Sequence, residues 1–340
     1  MVLPITVVAP TYNSMSMMQR HVSAMREWAP HVERVVVVDS HSEDGTWDYL
    51  KSNLAGDNIG FLQHPPGLYE SWNFGVSQSR SPFTYFSTVG DTISLDGLTA
   101  LYETAVSLDC DVVISPPRMK TDDGEPAEHS WPIHRIIDQY DIRTPLRLTT
   151  ESATYFATRY LPSSILGSSA SNLYRTDCLK EWPFPSEFGH IGDVAWGALY
   201  ATHVSFGIYP ETVAEFVHHK QTRQWDKQAY VRMCLELFEL ASDQIRALHQ
   251  TGFTEARVTG GETESVSPLQ EWIRVGNRRR ELDRGLSELR GKRLHWILNP
   301  QAWRLRHKRN QALSAEEPLL RQLDNSVRRS IADASGRLAL

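Results

Sequence analysis

Cysteine is scarce. The chain has three, Cys110, Cys178 and Cys234, in 340 residues, and no two have metal-ligand spacing. An odd, scattered set argues against a disulfide framework and fits a reducing compartment. No apolar run reaches the ~18–20 residues needed to cross a bilayer. The first residues already read as a strand, without the basic and then apolar regions of a secretion signal, so the expected location is cytoplasmic. Internal repeats and low-complexity tracts are absent. Net positive charge is absent too: Lys and Arg total 35 against 41 Asp and Glu, a formal charge of −6. That balance, with no recognition motif, excludes nucleic acid as the expected partner.

What is present is a β-α rhythm. Residues 3–9 are apolar on both faces, as in a buried strand, and Pro10 ends the run. Ser14 to Ala29 has helical spacing, with Met17, Met18, Val22, Met25 and Trp28 on one stripe. Val35–Val38 is a β-branched strand. A polar turn, a helix over 46–54 and a strand over 59–63 follow. Gly67 to Ser79 reads as a loop entering a helix, 83–88 and 111–115 as strands, and 95–108 as a helix between them. This alternation predicts an α/β fold with a mostly parallel, Rossmann-like sheet flanked by helices. After Pro116 the rhythm lapses into loops and short helices over 117–165. Order returns with a strand over 168–174, helices near Thr176 and Asp193, and a closing pair of strands at 206–209 and 213–218. A helix from Trp225 to His249, a polar linker over 252–268 and further helices over 269–335 complete the chain. The expected organisation is a domain over 1–225, with halves 1–116 and 117–225, and a helical, basic extension over 226–340.

Carboxylates stand at the ends of these strands, where open α/β sheets bind ligands. Asp39 closes the second strand and suits hydrogen bonds to a base or ribose. It equally suits a turn, since DSHSEDGT is rich in turn formers. Asp91, in VGDT, offers a hard oxygen ligand to Mg²⁺ or Mn²⁺ shared with a diphosphate. The plainer reading is a turn, with Asp96 capping the next helix. Asp193, in FGHIGDVAWGALYA, is placed to act as a general base or to cap a helix. VHHKQTRQW groups His218, His219, Lys220, Arg223 and Trp225. Histidine can complete a metal site and Arg can neutralise a diphosphate; a solvated strand end over a packed aromatic is the alternative.

Read together, these segments resemble the family 2 glycosyltransferases, whose fold is called GT-A. ITVVAPTYN resembles the family's opening strand and turn, here Pro10, Thr11, Tyr12 and Asn13. VVVVDSHSEDGT resembles its second strand, which implies that Asp39 binds the nucleotide base. GLYESWNFGVSQSRSPFTYFSTVGDTIS resembles the approach to the metal motif: Asn73 and Gly75 match, Gly90 lies in the turn, and Asp91 matches the last aspartate of DxD. SSASNLYRTDCLKEWPFPSEFGHIGDVAWGALYA resembles the acceptor-side segment, which implies that Asp193 is the catalytic base. QTRQW fits the QxxRW pattern. The resemblance spans residues 3–225. It implies transfer of a sugar from a nucleoside diphosphate sugar to an acceptor hydroxyl with inversion, in cell-surface polysaccharide or glycoconjugate synthesis. Asp91, His218 and His219 would hold a divalent cation, and Pro10 to Asn13, Asp39, Asn73, Gly90 and Arg223 the donor. The chain departs from the pattern at VGD for DxD, at Trp72 where an arginine is frequent, and at Gly192 where an acidic partner of Asp193 is frequent.

The stretch LHWILNPQAWRLRHKR is basic and aromatic. It suits a peripheral contact of residues 290–310 with anionic lipid carrying a lipid-linked saccharide acceptor. It equally suits a helical appendage packing its aromatics. Two rival functions are weighed. A sugar nucleotidyltransferase would want a glycine-rich basic loop after the first strand, which PTYNSMSMM is not. A catalytically degenerate nucleotide-sugar-binding protein would bind donor without turnover.

Overall fold

The computed structural model describes residues 2–121, 123–128, 130–218, 233, 236–243, 268–292 and 300–338. The chain divides into two compact units, one of residues 1–225 with 331–340 and one of residues 226–330.

In the first unit, β1 (Leu3–Thr11) and β2 (Val32–Asp39) are buried along almost their whole length. Alternation along each strand sorts its side chains to two faces. Ile5, Val7, Ala9, Val35 and Val37 share a core with Met18, Val22, Met25 and Trp28 of helix α1 (Met15–Trp28). On the other face lies α3 (Leu68–Ser77), close enough that a Cβ on Gly75 would stand 2.3 Å from Val8 and 3.3 Å from Val38. Helix α2 (Thr46–Asn53) follows β2. Further strands are β3 (Ile59–Gln63), β4 (Phe83–Phe86), β6 (Val112–Ile114), β8 (Leu146–Arg147), β9 (Asn172–Arg175) and β10 (Phe206–Ile208). The eight-stranded sheet has the order β3-β2-β1-β4-β9-β6-β10-β8. β1 to β4 pair parallel, as do β6 and β10. β9 runs antiparallel between β4 and β6, and β8 antiparallel on β10. The sheet is therefore mixed but mostly parallel, with helices on both faces.

The expected closing pair of strands does not form. β10 joins the main sheet, whereas β11 (Ala214–His218) crosses to a second sheet of order β5-β11-β7, with β5 (Thr92–Ile93) and β7 (Arg118–Thr121). Adjacent strands in sequence pair often, but Pro210 and the turn around it redirect the chain here. The 117–165 stretch is more ordered than its composition implies. It holds β7, β8, α5 (Pro132–Tyr140) and α6 (Thr150–Arg159). Helix α4 (Leu95–Ser107) is capped by Ser94, which accepts from Gly97 N, and not by Asp96. Residues 168–171 form a 3-10 turn, so the strand expected over 168–174 is confined to β9. Helices α7 (Thr176–Glu181) and α8 (Gly192–Tyr200) follow β9. Cys110 and Cys178 are buried, unpaired thiols, and burial pushes Cys110 up to about 12.

In the second unit, the helix Pro268–Lys292 and the helix beginning at Pro300 carry many of the arginines. Arg279 pairs with Glu316 at 2.7 Å and Arg309 with Asp283. Arg280 stacks over Phe238 with its guanidinium 3.4 Å from the ring centroid. These arginines are therefore engaged within the helical unit. Among the described residues, no helix is long and apolar enough to cross a membrane. The expected helix over 225–249 is described only at 233 and 236–243, and the linker over 252–268 lies almost wholly outside the described residues.

Candidate active site

Parallel pairing gathers the ends of β1, β2, β3 and β4 at one edge of the sheet. Thr11 stands level with Asp39, and Asp39 with Gln63. Helix α3 begins just past β3, so its first turn lies at that edge, as does the turn after β4 that carries Asp91. Tyr69, in this first turn of α3, donates from its hydroxyl to Asp193 Oδ1 at 2.8 Å. That bond brings Asp193 to the edge from 124 residues away. Asp39, Asp91 and Asp193 therefore belong to one end of one sheet, where open α/β sheets form their ligand crevice.

Asp39 is fully buried, and its carboxylate organises the turn around it. Oδ1 accepts from the Thr11 hydroxyl at 3.0 Å and from the Ser42 hydroxyl at 2.6 Å, and Oδ2 accepts from Ser42 N at 2.8 Å. The two loops are stitched further. Asn13, at φ 44°, donates its N–H to Ser42 Oγ, and its Oδ1 accepts from Glu43 N. Asp44 accepts from Met15 N, Thr46 N and the Thr46 hydroxyl. Desolvation pushes the Asp44 carboxyl up, but these donors outweigh it and hold the group below the usual carboxylate range. The turn reading of DSHSEDGT thus has a geometric basis: Asp39, Ser42, Asp44 and Thr46 hold the Pro10–Asn13 turn in place. Tyr12 projects from that turn, 52% exposed.

Asp91 is also buried. Its Oδ2 accepts from the hydroxyl of Thr88 at 2.7 Å and of Ser168 at 3.5 Å, and its Oδ1 from Val217 N at 3.0 Å. It therefore ties the turn after β4 to β11. Gly90, at φ 97°, takes a left-handed conformation that favours glycine. Beneath this turn His21 is buried on α1, and desolvation lowers its pKa to about 4, which keeps the ring neutral at pH 7. Among the described residues, no three His, Cys, Asp or Glu side chains cluster to hold a metal ion. The His218 side chain, His219 and the whole of QTRQW, Arg223 included, lie outside the described residues.

Asp193 lies in the first turn of α8, after Ile191 at the N-cap position. Burial pushes its pKa up, opposed by the Tyr69 hydrogen bond and by the backbone N–H groups of Val194 and Asp193. A carboxylate of raised pKa is better matched to proton transfer near neutral pH. Gly192 answers a steric demand, because a Cβ there would lie 2.4 Å from the Tyr69 ring. Asn73 does not present its amide to the nucleotide turn. It donates to Phe184 O at 2.8 Å and accepts from Phe184 N at 3.0 Å. Trp72, where the pattern has arginine, is buried and stacks on Phe86 at 4.4 Å. Tyr69, Trp72, Phe86, Tyr174, Phe184 and Trp196 thus form one buried aromatic cluster. Sequence reasoning missed Tyr69, Ser42, Thr88 and Ser168. Each acts through a contact whose partner is set by the fold, although Ser42 and Thr88, three residues from their aspartates, carried a local turn signal.

A groove of about 790 Å³ lies elsewhere, between α1 and the β5-β11-β7 sheet, and holds none of the three aspartates. Arg20, Arg118 and Lys120 converge there on Glu215, at 3.8, 4.0 and 2.6 Å.

A mostly parallel sheet flanked by helices on both faces matches the GT-A fold. Residues 6–165 match the family model described as glycosyl transferase family 2. The match takes in Asp39 and Asp91 and stops short of Asp193. Among solved structures, S. aureus TarS 1-349 in complex with UDP-GlcNAc is similar, at 17% identity and a TM-score of 0.56, over 96% of this chain and 91% of that one. The same TarS segment in complex with UDP gives 17% identity and a TM-score of 0.55 over the same shares. The longer TarS structure gives 16% identity and 0.51, with 92% of this chain covering 55% of that one. These likenesses establish the fold. A comparison with curated protein sequences gives no match.

Proposed function

We propose that this chain is an inverting glycosyltransferase that moves a sugar from a nucleoside diphosphate sugar to an acceptor hydroxyl. The observation that carries the reading is the Tyr69–Asp193 hydrogen bond, which sets a carboxylate of raised pKa at the ligand edge of a family 2 domain. The similar TarS structures contain UDP and UDP-GlcNAc, which favours a uridine nucleotide as donor. In this reading the Pro10–Asn13 turn, braced by Asp39, receives the nucleoside, and the exposed Tyr12 ring offers the base a face. Binding then becomes orientation, which lowers the entropic part of the barrier. Asp193 removes the proton from the acceptor hydroxyl as its oxygen attacks the anomeric carbon, and the diphosphate departs from the opposite side. That single displacement inverts the centre. Asp193 takes the ionised form in this role, and the Tyr69 hydroxyl favours that form.

Among the described residues, the expected Mg²⁺ or Mn²⁺ finds only a partial fit. Asp91 can supply at most one protein carboxylate, and its oxygens already accept from Thr88, Ser168 and Val217. A saccharide belonging to a surface polysaccharide or glycoconjugate remains our proposed acceptor class.

Asp193→Asn tests the assignment. It is expected to lower kcat by roughly 10²–10⁴-fold while leaving donor affinity close to wild type. Steady-state transfer together with donor titration reads both quantities. Near-wild-type turnover would remove Asp193 from the role, and donor binding without turnover in the wild type would favour the degenerate binding protein.

A further inference from the structure

Tyr69 and Gly192 are matched to each other. The Tyr69 side chain is 3% exposed, stacks on Phe184 with centroids 5.5 Å apart and meets Trp72 edge-on at 5.1 Å. Phe184 is itself fixed, because Asn73 bonds its backbone in both directions. The ring has no room to turn away, and a Cβ on Gly192 would lie 2.4 and 2.5 Å from two of its carbons. We propose that Tyr69 is the positioning residue of the general base: its ring fills the place of a side chain at 192, and its hydroxyl fixes Asp193 through Oδ1. The proposal rests on the assignment of Asp193 as base and deepens it. It also accounts for the missing acidic neighbour. A second carboxylate at 192 would disfavour ionisation of Asp193 by like charge, whereas a phenol hydroxyl favours it. Tyr69 itself stays protonated, since burial and the Asp193 charge push its pKa well above the usual 10.0.

The groups around Asp193 define what a titration reads. Tyr69 comes from α3, and Tyr174 on β9 lies near enough to feel the Asp193 charge. Glu187 and His190 on the 3-10 segment before α8, Glu151, Tyr155 and Arg159 on α6, Glu70 on α3, Arg175 on β9 and Tyr200 on α8 are further titratable side chains on these elements.

The test is Tyr69→Phe in the full chain, which keeps the ring and removes the hydroxyl. Expected are a roughly tenfold fall in kcat with unchanged donor KM, and an acid limb of the kcat profile displaced upward by on the order of one pH unit. A ¹³C-carboxyl NMR titration, with Asp193 assigned by the spectrum of Asp193→Asn, is expected to show the same upward displacement and does not depend on activity. If Asp193→Asn is inactive but Tyr69→Phe titrates and turns over like the wild type, the positioning role is overturned and the base assignment stands. If Asp193→Asn turns over normally, the base assignment fails, and the NMR titration alone decides whether the hydroxyl governs Asp193.

Discussion

One partly buried carboxylate, Asp193, sets the cost and the use of this site. Asp193 titrates above the usual 3.8 in the folded chain because burial disfavours its charge. Between that value and its folded pKa the folded form therefore holds more protons than the unfolded one, and stability falls as pH rises through the window. Asn carries no charge and keeps an oxygen for the Tyr69 hydroxyl. Asp193→Asn is accordingly expected to melt higher than the wild type at pH 7, with the difference shrinking as pH falls toward 3.8. Scanning calorimetry at several pH values checks this; a variant that melts lower at pH 7 would contradict it. Asp39, Asp91 and Asp193 were all legible as candidates because each follows an apolar run or opens a helix. Their surroundings were less so. That Thr11 donates to Asp39, and that Val217 N reaches Asp91 from 126 residues away, depends on strand pairing that no local pattern encodes.

Elements carry the second set of consequences. The βα rhythm up to Pro116 was readable from periodicity, since β1 and β2 are apolar on both faces and the helices between them show single stripes. Past that point the chain switches sheets. β9 enters antiparallel and β11 leaves for a second sheet, and short strands such as β5 and β8 have no period to detect. Asp91 is the fastening between these parts. Asp91→Ala would leave Val217 N without its acceptor inside the fold, and a loss of about 1–3 kcal/mol in urea unfolding is expected even in chelator. Unchanged stability would show that the tie to β11 is idle. Gly75 makes a second demand. Its missing side chain lets α3 approach β1, and Gly75→Ala forces a methyl against Val8. Overpacking of this kind is expected to lower stability by roughly 1–3 kcal/mol, again read by urea unfolding.

At the scale of the whole molecule, the helical unit is basic and exposes Trp303 beside Arg304, with a relative exposure of 68% for the tryptophan. Part of the expected lipid-facing stretch, residues 293–299, lies outside the described residues. A peripheral membrane role for 290–310 predicts co-sedimentation with anionic liposomes at low salt, weakened by Trp303→Ala; no binding at low salt would leave the segment as a packing element. The central claim concerns the other unit, whose sheet edge is proposed to receive a nucleoside diphosphate sugar. Titration calorimetry of the full chain with uridine, guanosine and thymidine diphosphate sugars, each with and without Mn²⁺, tests it most directly. The account predicts saturable one-to-one binding of at least one donor, lost in Asp39→Ala and kept in Asp193→Asn. Absence of binding by every donor, or binding indifferent to Asp39, would contradict it.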